Sequence, residues 1–403
     1  MRSKTEGMRR PQFLIQFNQP GPGNNHYNSF DITRTYINFF YRPNDMITLR
    51  FTPNIYRQVD VSGAQAFGKN AAISSSSNGN LGFRLKYAYI DFNKLFSGST
   101  AFKKDKLTFG QTTNPLVDWE EGLYGYRYTS LTPWNYLSLR STYRGVSLHG
   151  PIELNGKEDL DYDLGVFNQA SFHSIEFDDK KQVMARLTWY PFGTSVDRTG
   201  LGLTGFYDYG YSNHTPDTRS TPLYRVALLM HYQSHSKRYE LAGEYDLGRN
   251  AFSAGNLFSG SGPADQFGLG PTIYANFSSL TSAILGGDRT RQQGFDVFGH
   301  VAVGHSPFKL FGLYQYFQPN TKISGTNPLD FERTVGGISY TMNSHFEVAL
   351  DDQSLTYVHS QFTMSPAQIA SFSPSLAAAN PGGIANAVPK GTNVIMLNVL
   401  FNY

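Results

Sequence analysis

Apolar side chains recur at every second position over long stretches of this chain, and that period governs what it can fold into. In 47–51, Ile47, Leu49 and Phe51 share one side while Thr48, Arg50 and Thr52 share the other. Leu81, Phe83, Leu85, Tyr87 and Tyr89 alternate with Gly82, Arg84, Lys86 and Ala88, and Val183, Ala185, Leu187 and Trp189 with Arg186 and Thr188. Tyr239, Leu241, Gly243, Tyr245 and Leu247 alternate with Glu240, Ala242, Glu244 and Asp246. A helix brings residues three and four apart to one face, so a period of two specifies strands.

Each run is near the roughly 9–11 residues that a tilted strand needs to cross a bilayer. Such runs predict strands at 12–18, 30–41, 46–56, 81–93, 106–112, 141–149, 160–169, 182–192, 200–210, 223–233, 238–248, 293–303, 307–317, 331–340, 345–360 and 392–403. The total is about 16, an even number, which brings both chain ends to the same rim of a closed sheet. Connection lengths alternate too. Residues 42–45, 234–237, 304–307 and 341–344 are four-residue turns, whereas 57–80, 113–140, 249–292 and 361–391 are long. The expectation is all-β: one transmembrane antiparallel β-barrel domain over 1–403, with short turns at one end and long loops at the other.

Composition agrees. Charged residues are 16% of the chain, against about 25% in ordinary soluble domains, and aromatics are 15% with 31 Phe and 26 Tyr. A mean hydropathy of -0.37 argues against a bundle of membrane helices, each of which needs about 20 largely apolar residues. The charge-free segments 266–287 and 363–389 are interrupted by Pro271 and by Pro366, Pro374, Pro381 and Pro389, and read as polar loops. The absence of cysteine excludes disulfides, zinc–thiolate sites and thiol nucleophiles. A formal net charge of +3 is too small to argue for nucleic acid.

The last strand carries the most specific local pattern. Ile395, Leu397, Val399 and Phe401 alternate, and the chain ends on Tyr403. This resembles the assembly signal of outer-membrane proteins, with Tyr in place of the commoner Phe. In strand pattern and length the whole sequence resembles the bacterial porin superfamily of 16-stranded type, and more loosely the phosphate-selective porin family.

That resemblance implies a bacterial outer-membrane location in contact with lipid and lipopolysaccharide, and folding by the barrel assembly machinery. It also implies a homotrimer that passes ions and small hydrophilic solutes by diffusion, with no cofactor and no enzymatic activity. The alternative is a barrel sheath that holds a partner protein, such as a secreted cytochrome, in its lumen. Met1–Arg10 is basic but precedes no apolar signal region. Since export needs such a signal, the expectation is a mature, truncated or re-engineered form.

Alternation assigns residues to the bore. Arg34, Arg50, Arg84, Lys86, Arg186 and Arg225 are expected to line it on earlier strands, and Glu240, Glu244, Asp246, Asp296, Glu347 and Asp351 on later ones. The order of the 113–140 connection matches the loop that folds into porin channels. Its Asp118, Glu120 and Glu121 are expected to face the basic wall of Arg50, Arg84 and Lys86. So many acids disfavour a dedicated phosphate channel, which would want a concentrated ladder of Arg.

Phe39, Tyr41, Tyr87, Tyr89, Trp189, Tyr190, Tyr207, Tyr209, Tyr232, Tyr314, Tyr316 and Phe401 are expected to form interfacial girdles on the outside. His231 and His235 flank a turn at a spacing that does not bring two rings to one face of a strand. They read as polar loop residues, and no metal site is expected.

Overall fold

In a computed structural model, the structure describes residues 9–18, 28–57, 81–137, 139–154, 156–172, 176, 179–192, 194–195, 197–212, 221–251, 290–321, 330–358, 361–370, 378, 381–387 and 391–402. The strands are β1 (Arg9–Asn18), β2 (Asn28–Tyr36), β3 (Phe39–Asn44), β4 (Ile47–Arg57), β5 (Leu81–Asn93), β6 (Lys106–Thr113), β7 (Thr142–Leu154), β8 (Lys157–Ser171), β9 (Lys181–Trp189) and β10 (Gly200–Ser212). They continue with β11 (Thr221–Gln233), β12 (Tyr239–Arg249), β13 (Arg291–Ala302), β14 (Phe308–Gln318), β15 (Phe331–Asn343), β16 (Phe346–Tyr357), β17 (Gln361–Met364), β18 (Ile384–Ala387) and β19 (Gly391–Asn402).

Among the described residues seventeen strands form one sheet, and β17 and β18 form a separate hairpin inside the connection predicted as the long loop 361–391. β2 and β3 are two pieces of one crossing, since both pair with β4, so the seventeen strands make sixteen crossings, as the alternation predicts. All these pairings are antiparallel and, apart from the closure, join successive crossings. The ring is completed by β19, which pairs with β16 on one side and β1 on the other. A sheet without free edges has no row of unpaired N–H and C=O groups to expose to hydrocarbon.

The two faces follow the sequence period. Phe83, Phe109, Leu187, Leu228, Met230, Leu241, Val301 and Leu350 are exposed, forming an apolar outer surface. Their neighbours Thr188, Leu229, Ala242, Glu240 and Asp351 are buried on the inner face. No helix among the described residues is long and apolar enough to cross a membrane.

One element departs from strict alternation. On β5 both Lys86 and Tyr87 are buried. The register with β4 pairs Thr52 with Tyr87 but Pro53 with Leu85, leaving Lys86 as the extra residue of a β-bulge. Pro53 has no N–H for the ladder, and a bulge is where a strand tolerates proline. The bulge reverses the phase of everything after it. Tyr87 and Tyr89, expected on the outer girdle, instead face inward beside Arg50, whose guanidinium carbon lies 4.1 Å from the Tyr87 ring centroid and 5.8 Å from that of Tyr89.

The next strand must approach this irregular one closely. Gly110 has φ +130, and a Cβ there would lie 2.5 Å from the carbonyl oxygen of Ala88, so only glycine fits without displacing backbone.

Candidate functional site

The connection from β6 to β7 folds against the inside of the barrel, and its local structure follows from five residues. Asn114 Oδ1 accepts hydrogen bonds from the backbone N–H groups of Leu116 (2.7 Å) and Val117 (3.1 Å). This starts helix α1 (Val117–Tyr124), whose first turn holds Asp118 and Glu120, where carboxylates suit the helix dipole. Gly125, with φ 73, ends it by donating to Glu121 O at 3.0 Å. Pro133 then begins the short helix α2 (Pro133–Tyr136), a position where its missing N–H costs nothing. Neither helix was predicted, because eight residues are too few to display a helical period against the surrounding loop.

Aromatic and polar contacts anchor this loop along the wall from β9 to β16. Arg186 Nε donates to Pro115 O at 2.8 Å, and Arg198 donates to Trp119 O at 3.0 Å. Tyr124 meets Phe298 edge-on at 5.5 Å, and Tyr126 stacks on Phe311 with ring centroids 4.0 Å apart. Tyr128 donates to Glu347 at 2.6 Å, Gln353 to Thr129 O at 2.9 Å, and Arg333 to Leu131 O at 3.0 Å. Trp134 is fully buried against Phe317 and Arg225. Loop residues Leu116, Val117, Leu123, Leu137 and Leu139 therefore share a hydrophobic cluster with Phe331, Val335, Leu355 and Met396 of the wall.

The inward assignments can be placed one by one. The side chain of Arg34 lies outside the described residues. Arg50 and Arg84 are partly buried in the bore, Arg84 over the Phe172 ring at 4.9 Å. Lys86, Arg186 and Arg225 are buried. Lys86 hydrogen-bonds Ser141 at the end of the loop, and Arg186 pairs with Asp161. Arg225 pairs with Asp208 at 2.6 Å. Glu240, Glu244, Asp246, Asp296 and Asp351 are all buried on the inner face. Of the assembly-signal residues, Ile395, Leu397, Val399 and Phe401 lie on the outer, less buried side of β19, and Tyr403 lies outside the described residues.

The three loop acids separate rather than facing one wall together. Asp118 accepts a hydrogen bond from Tyr87 at 2.9 Å, beside Arg50, as a basic-wall partner would. Glu121 pairs within the loop with Arg127. Glu120 turns the other way, because successive residues of α1 project about 100° apart, and it packs beside Glu244 on the acidic wall. Burial, and next the charge of Glu244, push the Glu120 carboxyl well above the ordinary carboxylate range.

Sheet register assembles that acidic wall. Reading across the strands, Glu244 on β12 pairs with Asp296 on β13, Asp296 with Gln315 on β14, and Gln315 with Arg333 on β15. Asp246, two residues along β12, shares the face of Glu244. Glu244, Asp246 and Asp296 offer carboxylate oxygens that all lie within 4.8 Å of one another.

Other expectations need correction. His231 is no loop residue: it is buried on β11, edge-on to Trp119 and Tyr190 at 5.6 Å each. Tyr190 is likewise inside rather than on a girdle, as its parity with Arg186 and Thr188 should have indicated. Phe39, Tyr41, Trp189, Tyr207, Tyr209 and Tyr232 are exposed on the outer face. The one sequence signal for the β5 phase change was Pro53; nothing in the sequence alone foretold the meeting of Glu120 with β12.

Asp330, at the foot of β15 and outside the crossing, is a titration probe for this end of the barrel. It is buried and accepts from Gln318 at 3.1 Å, and burial raises its carboxyl to about 6. A raised value means that its contribution to stability is complete below the ordinary Asp value near 3.8 and is lost as pH climbs through about 6. Asp330→Asn is therefore expected to match the parent near pH 4 and to exceed it by about 1–2 kcal/mol at pH 8. Guanidinium unfolding in detergent at the two pH values measures this; equal stabilities at pH 8 would contradict it.

No protein-family model and no curated protein sequence matches the chain. Solved structures do. The chain is similar to OmpF of Salmonella typhi in complex with daunomycin, with a TM-score of 0.54 at 10% identity over 99% of this chain and 97% of that one. It is similar to the trimer form of OmpT, an outer-membrane protein of Vibrio cholerae, with a TM-score of 0.53 at 10% identity over 99% and 98%. It is also similar to the outer-membrane channel DcaP of Acinetobacter baumannii, with a TM-score of 0.50 at 10% identity over 98% and 96%. At such identities the likeness is one of fold, that of a porin-like β-barrel.

Proposed function

We propose that this chain is an outer-membrane porin, a barrel through which ions and small hydrophilic solutes diffuse past a constriction made by residues 113–140. The observation that carries this reading is the inner loop. Its Asp118 stands against Tyr87 and Arg50, so a carboxylate on the loop opposes cationic side chains on the wall. Charges of both signs across a narrow aqueous gap create a transverse field, which orients water and dipolar solutes and selects among ions. A sheath that holds a partner protein is the weaker reading, because the inner wall from β9 to β16 is already covered by the chain's own loop.

Location in the outer membrane, with its lipid and lipopolysaccharide, is supported by the apolar outer face. Assembly through the β19 signal and association as a homotrimer belong to the same proposal; the likeness to a trimeric outer-membrane protein supports the latter. The long connections 249–292 and 361–391 are assigned to the extracellular side. Most of the former, residues 252–289, lies outside the described residues.

Single-channel recording of the purified protein in planar bilayers tests the reading: discrete conductance steps support it, and silence from folded protein overturns it. Reversal potentials in a salt gradient then locate the throat. Arg50→Ala and Arg84→Ala are each expected to shift selectivity toward cations by about twofold, since each removes positive charge from the wall. Unchanged potentials in both variants would take the basic wall out of the throat.

A further inference from the structure

The acidic face on β12 and β13 is unusual in what it lacks. Glu120, Glu244, Asp246 and Asp296 are buried, and neither oxygen of any of these carboxylates has a hydrogen-bond partner among the described residues. Gln315, the register partner of Asp296, is fully buried as well, and both its Oε1 and Nε2 are unpartnered. A buried amide without partners costs about 1–3 kcal/mol, and buried like charges repel. The neighbouring cation, Arg333, supplies one positive charge against four carboxylates and also donates to Leu131 O in the loop. Four elements, β12, β13 and β14 of the wall and α1 of the loop, thus contribute oxygen atoms to this cluster.

We propose that this cluster binds one hard divalent cation, best matched by calcium, through Glu244, Asp246 and Asp296 with Glu120 from the loop and Oε1 of Gln315. Oxygen-only donors, without histidine or cysteine, suit calcium or magnesium rather than zinc. The wall carboxylates lie within 4.8 Å of one another, so one ion can reach all three. A set of five protein oxygens suits calcium, which takes about 6–8 oxygen ligands, whereas magnesium usually keeps several waters and takes one or two carboxylates. The ion ties α1 to the wall, so the loop is held by coordination as well as by its aromatic contacts. This inference needs only the geometry of the inner wall: a barrel that binds calcium but conducts nothing defeats the channel reading alone.

The test uses the full chain refolded into detergent without lipopolysaccharide, which itself binds divalent ions, and stripped with a chelator. Isothermal titration with calcium chloride is expected to show one site per chain, with weaker binding of magnesium. Glu120→Gln should weaken calcium at least about tenfold, and the double variant Asp246→Asn with Asp296→Asn should abolish binding. Calcium should raise the Tm of the parent but not that of the double variant. Heat-dependent gel mobility and far-ultraviolet circular dichroism establish that each variant is folded. No calcium heat from folded parent protein overturns the proposal, as does binding that survives undiminished in both variants.

Discussion

Replacing residues 117–139 with a short Gly-Ser linker is expected to raise single-channel conductance about two- to fivefold. The segment brings both loop helices, Trp119, Tyr124, Tyr126 and Trp134 into the bore, and current through a pore is set by its narrowest cross-section. A wall of sixteen crossings is wide enough to leave an aqueous channel once nothing lies across it. Excision also bares Phe298, Phe311 and Phe317, so folded fraction is measured alongside conductance. Trp134→Ala is the milder companion. It removes a fully buried anchor, at a cost of about 3–5 kcal/mol, and is expected to add open-channel noise while leaving the wall intact. Parent-like conductance in the folded excision variant would mean that the loop does not set the throat.

Asp208→Ala is expected to destabilise the barrel by about 3–5 kcal/mol, because it strands a buried guanidinium. Asp208 is fully buried and receives hydrogen bonds at 2.6 Å from both Arg225 and Gln182; Arg225 also donates to Ala251 O at 3.1 Å. The pair itself is not what makes the loss large, since charges taken out of water recover little net energy when matched. Removing one partner leaves the other charge buried without compensation. The double variant Asp208→Leu with Arg225→Met should therefore be much closer to the parent than either single change. Equilibrium unfolding in guanidinium and detergent reads both; a loss of less than about 1 kcal/mol in Asp208→Ala would show that water reaches Arg225 freely.

Some of this was legible in the residues alone and some was not. The β9 run needs no tertiary information: Val183, Leu187 and Trp189 emerge exposed, and Gln182, Arg186 and Thr188 buried, as their order dictates. β5 shows where such reading breaks down. Its apolar residues alternate through Tyr89, yet one extra residue opposite Pro53 turns Tyr87 and Tyr89 inward, because a bulge changes phase without changing composition. His231 misled for a related reason. Its proximity to a turn suggested a polar loop, whereas β11 runs on through Gln233 and buries the ring against Trp119.

The chain's own order of residues determined that it would be a closed antiparallel sheet of sixteen crossings with an apolar exterior, because a period of two and regular turns are local properties that every residue carries. Only the tertiary structure decided which charges meet. Glu120 and Glu244 are far apart in sequence, and Glu244, Asp296 and Gln315 become neighbours through strand register. Register and the path of the inner loop arise from long-range pairing, so no short window of sequence contains them.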